Sequence, residues 1–385
     1  MSDVLVIGSG VIGCASAIAL ARRGASVSVI ERGADGRGAG APEPPSAWGD
    51  GASWAAAGVL GAQIEAEEDG PMARLCLASR ERYAAWAGAL VEATGIDVGY
   101  RPCGAMRVAF EAGEAETVAR EAAWQAAAKL SLASLDGAAA RAAEPALCNE
   151  IAGGVRFPDD GRIDPPALMR ALRIAAARAG ARFRTGAPAR RILRAGGRAV
   201  GAALEDGSEL LAGKVVLAAG CWSALVDGAG LAPDAVRPAR GQIVELVAEA
   251  PPLGQVIFGP SCYLSPRDDG RVLVGSTTEF VGFTPGVTAR AVADLLVAAI
   301  RLVPALGEAA VSRSWSGLRP HTHDELPILG EGVIKHLILA TGHFRNGILL
   351  APITGEIVAA VAAERVPPVD ISPFEAERLT AARTD

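Results

Sequence analysis

The sequence has 385 residues, enough for two to three domains at roughly 150 residues each. Half of the residues are hydrophobic and 21% are charged, which excludes global disorder because the chain can bury enough apolar side chain to fold. The net charge of −6, without a basic stripe, argues against a nucleic-acid partner. Cysteines are scattered without a C-x-x-C pair or zinc-ligand spacing, so we expect a reduced protein with no metal site.

The N-terminal stretch predicts a strand, a glycine turn, a helix and a second strand. Residues 4–21 carry no charge for 18 residues, a length that also fits a membrane span or a signal-peptide core. Three glycines inside the run, Asp3 before it and the lack of a small-residue cleavage site argue against both. We therefore expect a βαβ unit that ends at Glu31.

The turn fits the dinucleotide fingerprint G-x-G-x-x-G. Gly8 permits a tight turn, Gly10 lets the backbone approach a pyrophosphate, and Gly13 allows the helix to pack closely on the strand. Glu31, eighteen residues after Gly13, can accept hydrogen bonds from ribose hydroxyls. A glycine-rich turn that binds nothing is the alternative, but the strand, helix and acid in register favour FAD or NAD.

Beyond this unit the sequence predicts an interrupted first domain and a second domain with a largely antiparallel sheet. Residues 33–51 are dense in Gly and Pro and predict an exposed insertion, either a solvated loop or a lid or interface. The other predicted elements are helices over 71–94, 113–145, 164–179, 288–302 and 348–364, and strands over 104–110, 182–185, 199–205, 214–218, 309–318 and 336–340, with several more between 236 and 276.

Three segments carry a family resemblance: residues 52–63 (ASWAAAGVLGAQ), 315–330 (WSGLRPHTHDELPILG) and 340–352 (ATGHFRNGILLAP). With residues 238–242 (PARGQ) and 274–277 (VGST), they resemble the D-amino-acid-oxidase superfamily of flavoproteins, most closely its glycine oxidase branch from thiamine biosynthesis. The resemblance covers nearly the whole chain, and GHFRNGILLAP is its most specific string. It implies FAD, held noncovalently, as the cofactor.

The expected architecture is an α/β fold of two domains. One is a discontinuous Rossmann-like FAD-binding domain, and the other is a substrate domain with a largely antiparallel sheet. The FAD-binding domain is expected over residues 1–85, 150–230 and 325–385, and the substrate domain over residues 86–149 and 231–324.

The last helix is expected to face the flavin. Asn346 and Gly347 open it, so its unpaired N–H groups and positive dipole end can stabilise charge on the N1–C2=O edge of reduced flavin. Ordinary capping of a packed helix is the alternative. The predicted cofactor-binding residues, most of them implied by the resemblance, are Gly8, Gly10, Val11, Ile12, Gly13, Glu31, Arg32, Ser53, Ala57, Gly58, Val59, Ala189, Gly220, Gly342, His343, Phe344, Arg345, Asn346, Gly347, Ile348 and Leu349.

An amino-acid oxidase must hold the substrate carboxylate, and arginine suits this task because its planar fork pairs with both oxygens. The resemblance implies Arg319 for this role, with support from the hydroxyl of Tyr263. The alternatives are a solvated surface arginine and a tyrosine on a half-buried strand. Arg345 matches a second arginine near the substrate amine. We assign no side-chain base, because a neutral amine can lose hydride directly to flavin and each histidine is more simply structural.

Two positions depart from the best-described bacterial relatives. Ser261 stands where those proteins have a histidine, and Thr278 lies near the position of a methionine, both lining the pocket. The smaller and more polar residues here leave the size of the pocket and its preferred side chain open.

The expected reaction is oxidative deamination of glycine, with sarcosine and small D-amino acids as further candidates. The products are an imine, then glyoxylate or a keto acid, ammonia and hydrogen peroxide, with the imine supplying thiazole assembly for thiamine. We expect a cytoplasmic homo-oligomer, commonly a tetramer in the family, without stable membrane insertion. A quinone-linked D-amino-acid dehydrogenase, a non-catalytic FAD-binding subunit of a multi-chain dehydrogenase and an NAD-dependent dehydrogenase are the alternatives.

Overall fold

The computed structural model describes residues 2–33 and 51–381, so the insertion predicted over 33–51 lies almost wholly outside the described residues. The strands are β1 (Ser2–Ile7), β2 (Val27–Ile30), β3 (Val59–Leu60), β4 (Ala105–Ala109), β5 (Ala133–Asp136), β6 (Gly153–Phe157), β7 (Gly161–Arg162), β8 (Arg182–Arg184), β9 (Ala189–Ala195), β10 (Arg198–Leu204), β11 (Glu209–Leu217), β12 (Arg237–Val247), β13 (Val256–Phe258), β14 (Tyr263–Pro266), β15 (Arg271–Gly275), β16 (Ala310–His321), β17 (Ile328–Glu331) and β18 (Leu337–Thr341).

The helices are α1 (Val11–Ala21), α2 (Ala52–Ala55), α3 (Pro71–Thr94), α4 (Ala112–Glu121), α5 (Ala123–Ala127), α6 (Gly137–Ala143), α7 (Pro165–Arg178), α8 (Ala289–Leu302), α9 (Gly347–Ala362) and α10 (Arg378–Ala381). Short 3-10 turns lie at Gly220–Leu225, Pro304–Glu308, Phe344–Asn346 and Ser372–Phe374.

The first sheet has the strand order β17-β18-β11-β1-β2-β8, and β9 and β10 extend from β11 as an antiparallel hairpin. Its central strands β18, β11, β1, β2 and β8 run parallel. In such sheets ligands bind beyond the carboxyl ends of the strands. The glycine turn after β1 and the start of α9 after β18 both lie at that edge.

Helices α1, α3, α7 and α9 pack against one another on the first sheet. The residues of α1 and α9 are mostly apolar and buried, and a Cβ at Gly355 would lie 2.9 Å from the carbonyl oxygen of Ala15, so a glycine is needed where the two helices approach. Residues Phe344–Ala362 are long and apolar enough to cross a membrane, but 72% of that stretch is buried inside the protein. Among the described residues no other helix passes the same criterion.

The second sheet has the order β16-β12-β15-β14-β13-β4-β6-β5 and is antiparallel except between β13 and β4. Its core includes apolar residues of β12, β14, β15 and α8. The long pair formed by β12 and β16 carries Leu318 and Pro320, which reach the cavity described below.

Several elements differ from the sequence prediction. The Ala-rich range 113–145 contains three helices and the edge strand β5, because pairing with β6 outweighs the helix propensity of alanine. Strand β6 pairs in the second sheet although it lies in the range 150–230 assigned to the FAD-binding domain. Helix α3 runs through the boundary expected at 85/86 and packs in the first core. Strand β9 was not predicted.

Candidate active site

The turn between β1 and α1 has no room for side chains at two of its glycines. Gly8 has a φ of +102°, and a Cβ there would lie 2.4 Å from the carbonyl oxygen of Ala218. A Cβ at Gly13 would lie 1.9 Å from the carbonyl oxygen of Gly8. Gly10 is the N-cap of α1 and makes no side-chain cap, so the helix start opens toward a ligand through its backbone.

Glu31 follows β2 and fixes this turn. Its carboxylate accepts hydrogen bonds from the backbone N–H of Ser9 at 2.8 Å, from the Ser9 hydroxyl at 3.0 Å and from the N–H of Gly33 at 3.0 Å. The next residue, Arg32, places its guanidinium 3.7 Å from the ring centroid of Trp222. The turn, Glu31 and Arg32 thus form one end of a shared cavity.

A cavity of about 1200 Å³ runs from the glycine turn to the start of α9. The predicted cofactor-binding residues that line it are Gly8, Gly10, Val11, Ile12, Glu31, Arg32, Ser53, Ala189, Gly220, His343, Arg345, Gly347 and Ile348. The predicted residues that are not part of its lining are Gly13, Ala57, Gly58, Val59, Gly342, Phe344, Asn346 and Leu349. Gly13 instead lets α1 pack closely against the backbone of the turn at Gly8.

The residues of this cavity fit FAD. Two helices, α1 and α9, begin at its wall and direct their positive dipole ends toward it. Neither N-cap residue supplies a side-chain cap, although the Ser53 hydroxyl accepts a hydrogen bond from the Val11 N–H at 3.0 Å. Arg170 and Arg173 of α7 line the same cavity and add positive charge, as a pyrophosphate requires. The volume exceeds the few hundred Å³ that suffice for a small metabolite.

Sequence analysis missed several residues of the cavity wall. Arg170, Arg173 and Ile174 lie on one side of α7, at a spacing of three to four residues, and Trp222 follows β11. The helix itself was predicted, so its three- and four-residue spacing was the available signal. Nothing local to the sequence indicated that this side of α7 faces the glycine turn.

Residues 55–58 do not line the cavity and are held in place by contacts outside it. The carbonyl oxygen of Ala55 accepts a hydrogen bond from the Trp315 indole N–H at 2.9 Å, and that of Ala57 accepts one from Arg267 at 2.6 Å. Gly58 has a φ of +75°, and a Cβ there would lie 2.0 Å from the carbonyl oxygen of Ile163. These contacts attach residues 55–58 to side chains of the second sheet and to the segment that follows β7.

The start of α9 is fixed by α3. Pro352 lacks the N–H that would bond to the carbonyl of Ile348 within the helix. The hydroxyl of Tyr83 donates to that carbonyl at 3.0 Å instead, and the hydroxyl of Ser79 donates to the carbonyl of Leu349 at 2.6 Å. The helix therefore keeps its first turn rigid at the cavity wall without a side-chain cap.

His343 lies in the turn before α9 and is fully buried. Its Nε2 is 3.1 Å from the hydroxyl of Thr354, and burial lowers the pKa of the imidazole to about 3. The ring is therefore neutral at physiological pH. His321 is also buried, in edge contact with the rings of Phe280 and Phe344, and burial lowers its pKa.

Arg319 lies on β16 between Leu318 and Pro320, which line the cavity, whereas Arg319 and Tyr263 are not part of its lining. Its guanidinium donates to the carbonyl oxygen of Thr277 at 3.0 Å and to the hydroxyl of Ser276 at 2.7 Å. These bonds use two of the five N–H donors of a guanidinium and hold its plane. A Cβ at Gly241, on the neighbouring strand β12, would lie 2.2 Å from both terminal nitrogens, so the glycine makes the space that Arg319 occupies.

Tyr263, like Arg319, lies over a glycine of a neighbouring strand in the second sheet. It begins β14, and a Cβ at Gly275 of β15 would lie 2.3 Å from its hydroxyl oxygen. Burial raises the pKa of the Tyr263 phenol, although the nearby Arg319 guanidinium opposes that change. Arg319 and Tyr263 therefore lie close together on one face of the second sheet, over two glycines.

Arg345 and Glu65 complete this group of charges. The Arg345 guanidinium lies 3.7 Å from the carboxylate of Glu65 and 3.5 Å from that of Glu325. Burial raises the pKa of Glu65, while Arg345 and Arg319 lower it. Sequence analysis missed Glu65, although it lies two residues beyond a segment that carries the family resemblance.

Ser261 and Thr278, the two predicted pocket positions, are both exposed. Ser261 lies in the turn between β13 and β14, two residues before Tyr263. Thr278 follows β15 and is adjacent to Thr277, whose carbonyl holds Arg319. Neither residue lines the large cavity.

Comparison with known proteins places the chain in a family. A family model described as FAD dependent oxidoreductase matches residues 3–361. The chain is 40% identical over 363 residues to the bifunctional protein ThiO/ThiG of Synechocystis sp., covering 93% of this chain and 51% of that protein. It is 36% identical over 380 residues to the glycine oxidase of Geobacillus kaustophilus, covering 98% and 97% of the two chains.

The solved structures agree with the sequence relatives. The crystal structure of glycine oxidase from Geobacillus kaustophilus matches with a TM-score of 0.89, covering 97% of this chain and 98% of that chain at 36% identity. The chain spans about half the length of the ThiO/ThiG proteins it matches. The expected α/β fold and the resemblance to the glycine oxidase branch are confirmed. The chain belongs to the DAO family of FAD dependent oxidoreductases.

Proposed function

We infer that this chain is an FAD-dependent oxidase that deaminates glycine, with sarcosine and small D-amino acids as further substrates. The observation that carries the proposal is the placement of Arg319 next to Tyr263, on a sheet face cleared by Gly241 and Gly275. The neighbours of Arg319 on its strand, Leu318 and Pro320, belong to the cavity wall. A guanidinium held at two nitrogens is preorganised for a carboxylate. The relatives named glycine oxidase support the choice of substrate.

In this proposal the residues of the site have separate roles in binding the substrate and stabilising charge. Arg319 and Tyr263 bind the carboxylate of the amino acid and so fix its Cα, while Arg345 lies toward the start of α9. When bound, FAD would supply the two-electron acceptor, with oxygen as the final acceptor and hydrogen peroxide as the product. The α9 start offers backbone N–H groups for charge stabilisation at the cofactor end. The product imine is hydrolysed by water to the oxo acid and ammonia.

The cofactor is noncovalent in this proposal. Burial raises the pKa of the Cys262 thiol to about 12, so the thiolate needed for attachment is scarce at neutral pH. The ThiO/ThiG relatives support a supply of imine to thiamine biosynthesis. The division into an FAD-binding and a substrate domain, the cytoplasmic location and the homo-oligomer also belong to the proposal.

An anaerobic titration tests the proposal. We expect glycine to bleach the flavin absorbance of the purified protein, and air to restore it with release of hydrogen peroxide; sarcosine, D-alanine and D-proline rank the alternatives. A yellow protein that no amino acid bleaches would support a non-catalytic FAD-binding subunit. Bleaching without peroxide on reoxidation would favour the quinone-linked dehydrogenase.

Arg319→Ala tests the residue that carries the proposal. We expect a loss on the order of a hundredfold in kcat/KM, or about 3 kcal/mol of transition-state stabilisation, with FAD retained. The matched control is Arg313→Ala, six residues earlier on the same strand, because Arg313 pairs with Glu245 at 2.9 Å. Equal kinetics for the two variants would remove Arg319 from the site.

A further inference from the structure

Glu65 is a carboxylate with an unusual position in this site. Its side chain is only 17% exposed, and it lies just after β3, in a segment anchored from the second sheet. Asp160 accepts hydrogen bonds from the backbone N–H groups of Gln63 at 3.1 Å and Ile64 at 2.9 Å. Burying a carboxylate is costly unless a charged partner or a function compensates. The hydrogen bonds to Asp160 therefore hold the backbone next to Glu65 in a fixed position.

The charges around Glu65 come from several elements. The groups that face it are Arg345 and Glu325 near α9, Arg319 on β16, Tyr263 on β14 and the buried thiol of Cys76 on α3. Arg345 is also paired with Glu325, which is 52% exposed, so Glu65 is not needed merely to neutralise it. Gly61 gives the carboxylate room, because a Cβ there would lie 3.3 Å from its Oε1.

The Glu65 carboxylate lies 3.7 Å from the Arg345 guanidinium and interacts electrostatically with both Arg319 and Tyr263. Among the described residues it is the one carboxylate that alters the pKa of both Arg319 and Tyr263. A bound amino acid directs its own carboxylate to those two residues, which leaves its positively charged amino group to find a negative partner. In so small a substrate the two groups are separated by a single carbon, so the partner must lie close to Arg319.

We propose that Glu65 binds the amino group of the substrate and accepts its proton. The step is R–CH₂–NH₃⁺ plus Glu65 carboxylate giving R–CH₂–NH₂ plus the neutral Glu65 acid, with no electron transferred. The N–H bond breaks, the O–H bond forms, and the nitrogen lone pair becomes available for loss of hydride from Cα. This assignment rests on the proposed amino-acid oxidase function and adds to it a residue for the proton that direct hydride transfer leaves unassigned.

The test is the pH dependence of kcat/KM for glycine in the FAD-loaded Glu65→Gln variant. The wild-type value is expected to fall only below the pKa of Glu65. The variant must capture the minor fraction of substrate that is already neutral. We therefore expect a loss on the order of a hundredfold at pH 7 that shrinks about tenfold per pH unit toward the pKa of the substrate amine. A loss of equal size at every pH overturns the proposal.

Two further variants separate this role from positioning of Arg345. Glu325→Gln removes the other acid partner of Arg345, and we expect its pH profile to match that of the wild type; a profile like that of Glu65→Gln overturns the proposal. Glu65→Asp keeps the carboxylate and should keep the wild-type profile at a reduced rate, which also serves if the glutamine variant does not fold. A Glu65→Asp profile shifted to the pKa of the amine contradicts the assignment.

A binding measurement does not depend on turnover. Acetate has the carboxylate but no amino group, so removing the negative charge at position 65 should tighten acetate binding several-fold, as followed by the flavin spectrum. Weaker acetate binding in Glu65→Gln would show that Glu65 serves Arg319 rather than the amine. If the wild-type protein is not reduced by any amino acid, the proposed function fails; if it is reduced but Glu65→Gln behaves as the wild type, only the role of Glu65 fails.

Discussion

The two ends of the site are built in different ways. At the glycine turn the molecule uses backbone: Gly8 and Gly13 leave no space for a Cβ, and α1 directs the positive end of its dipole toward the cavity. At the proposed substrate end it uses side chains from distant parts of the sequence: Arg319 on β16, Tyr263 on β14 and Glu65 after β3.

The difference shows what a glycine does in each region. At Gly13 an added Cβ meets a backbone carbonyl, whereas at Gly241 it meets the far end of the Arg319 side chain. Backbone cannot yield without distorting the turn, but a guanidinium can swing away. We therefore expect the same chemical change to damage the fold and cofactor binding in one region and only substrate binding in the other.

Gly13→Ala should have the largest effect. Because the Cβ would lie 1.9 Å from the carbonyl oxygen of Gly8, the turn or α1 must move. We expect a loss of roughly 3 kcal/mol or more in the free energy of unfolding and at least a tenfold weaker affinity for FAD. Urea unfolding and the flavin-to-protein absorbance ratio measure the two effects. Wild-type flavin content in this variant would contradict the idea that backbone contacts build this end.

Gly241→Ala should keep the fold and flavin but lose substrate binding. The Cβ displaces the Arg319 guanidinium, so we expect kcat/KM for glycine to fall on the order of a hundredfold while the free energy of unfolding changes by about 1 kcal/mol or less. The double variant with Arg319→Ala tests the cause. If Gly241 acts through Arg319, the double variant should be no worse than Arg319→Ala alone; additive losses would show a separate role.

The same contrast explains what could be predicted from the sequence. The glycine turn, Glu31 and the start of α9 were predicted because each function depends on backbone geometry that a short local motif specifies. At the proposed substrate end, only Tyr263, Arg319 and Arg345 could be predicted, and they were predicted through the family resemblance. No local pattern shows that residue 65 will meet residue 345, since their contact depends on how both sheets pack.

Parts of the secondary structure also depend on contacts that no local sequence pattern shows. Strand β5 lies in an Ala-rich stretch whose composition favours helix, and only its pairing with β6 makes it a strand. The packing of Arg170 and Arg173 against the cavity likewise depends on where α7 crosses the first sheet. Contacts with other elements, rather than local propensity, decide the conformation of β5 and the direction in which α7 presents these arginines.

The pH dependence of stability tests how Asp160 holds the segment that carries Glu65. Asp160 holds the segment before Glu65, and burial raises its pKa from 3.8 to about 6. Because the folded pKa is above the unfolded value, the native state binds more protons between those values. The stability contributed by this group is therefore largest below pH 4 and falls as pH rises toward 6, by on the order of 2 kcal/mol.

Asp160→Asn removes that dependence, since the amide does not titrate. We expect the free energy of unfolding of the wild type, minus that of the variant, to fall between pH 4 and pH 7 in urea titrations. A difference that rises with pH would mean that the Arg80 ion pair at 3.0 Å and the backbone hydrogen bonds outweigh the cost of burial.

Gly88→Ala should have the smallest effect, and one of opposite sign to Gly13→Ala. Gly88 lies exposed within α3, and an added Cβ meets no atom within 4 Å among the residues that the structure describes. Alanine restricts the unfolded chain and suits a helix, so we expect the free energy of unfolding to rise by about 0.5 to 1 kcal/mol, with FAD content and KM unchanged. Destabilisation at both positions would mean that glycines in this chain are generally intolerant, and the loss at Gly13 would then no longer identify the turn as a backbone-built site.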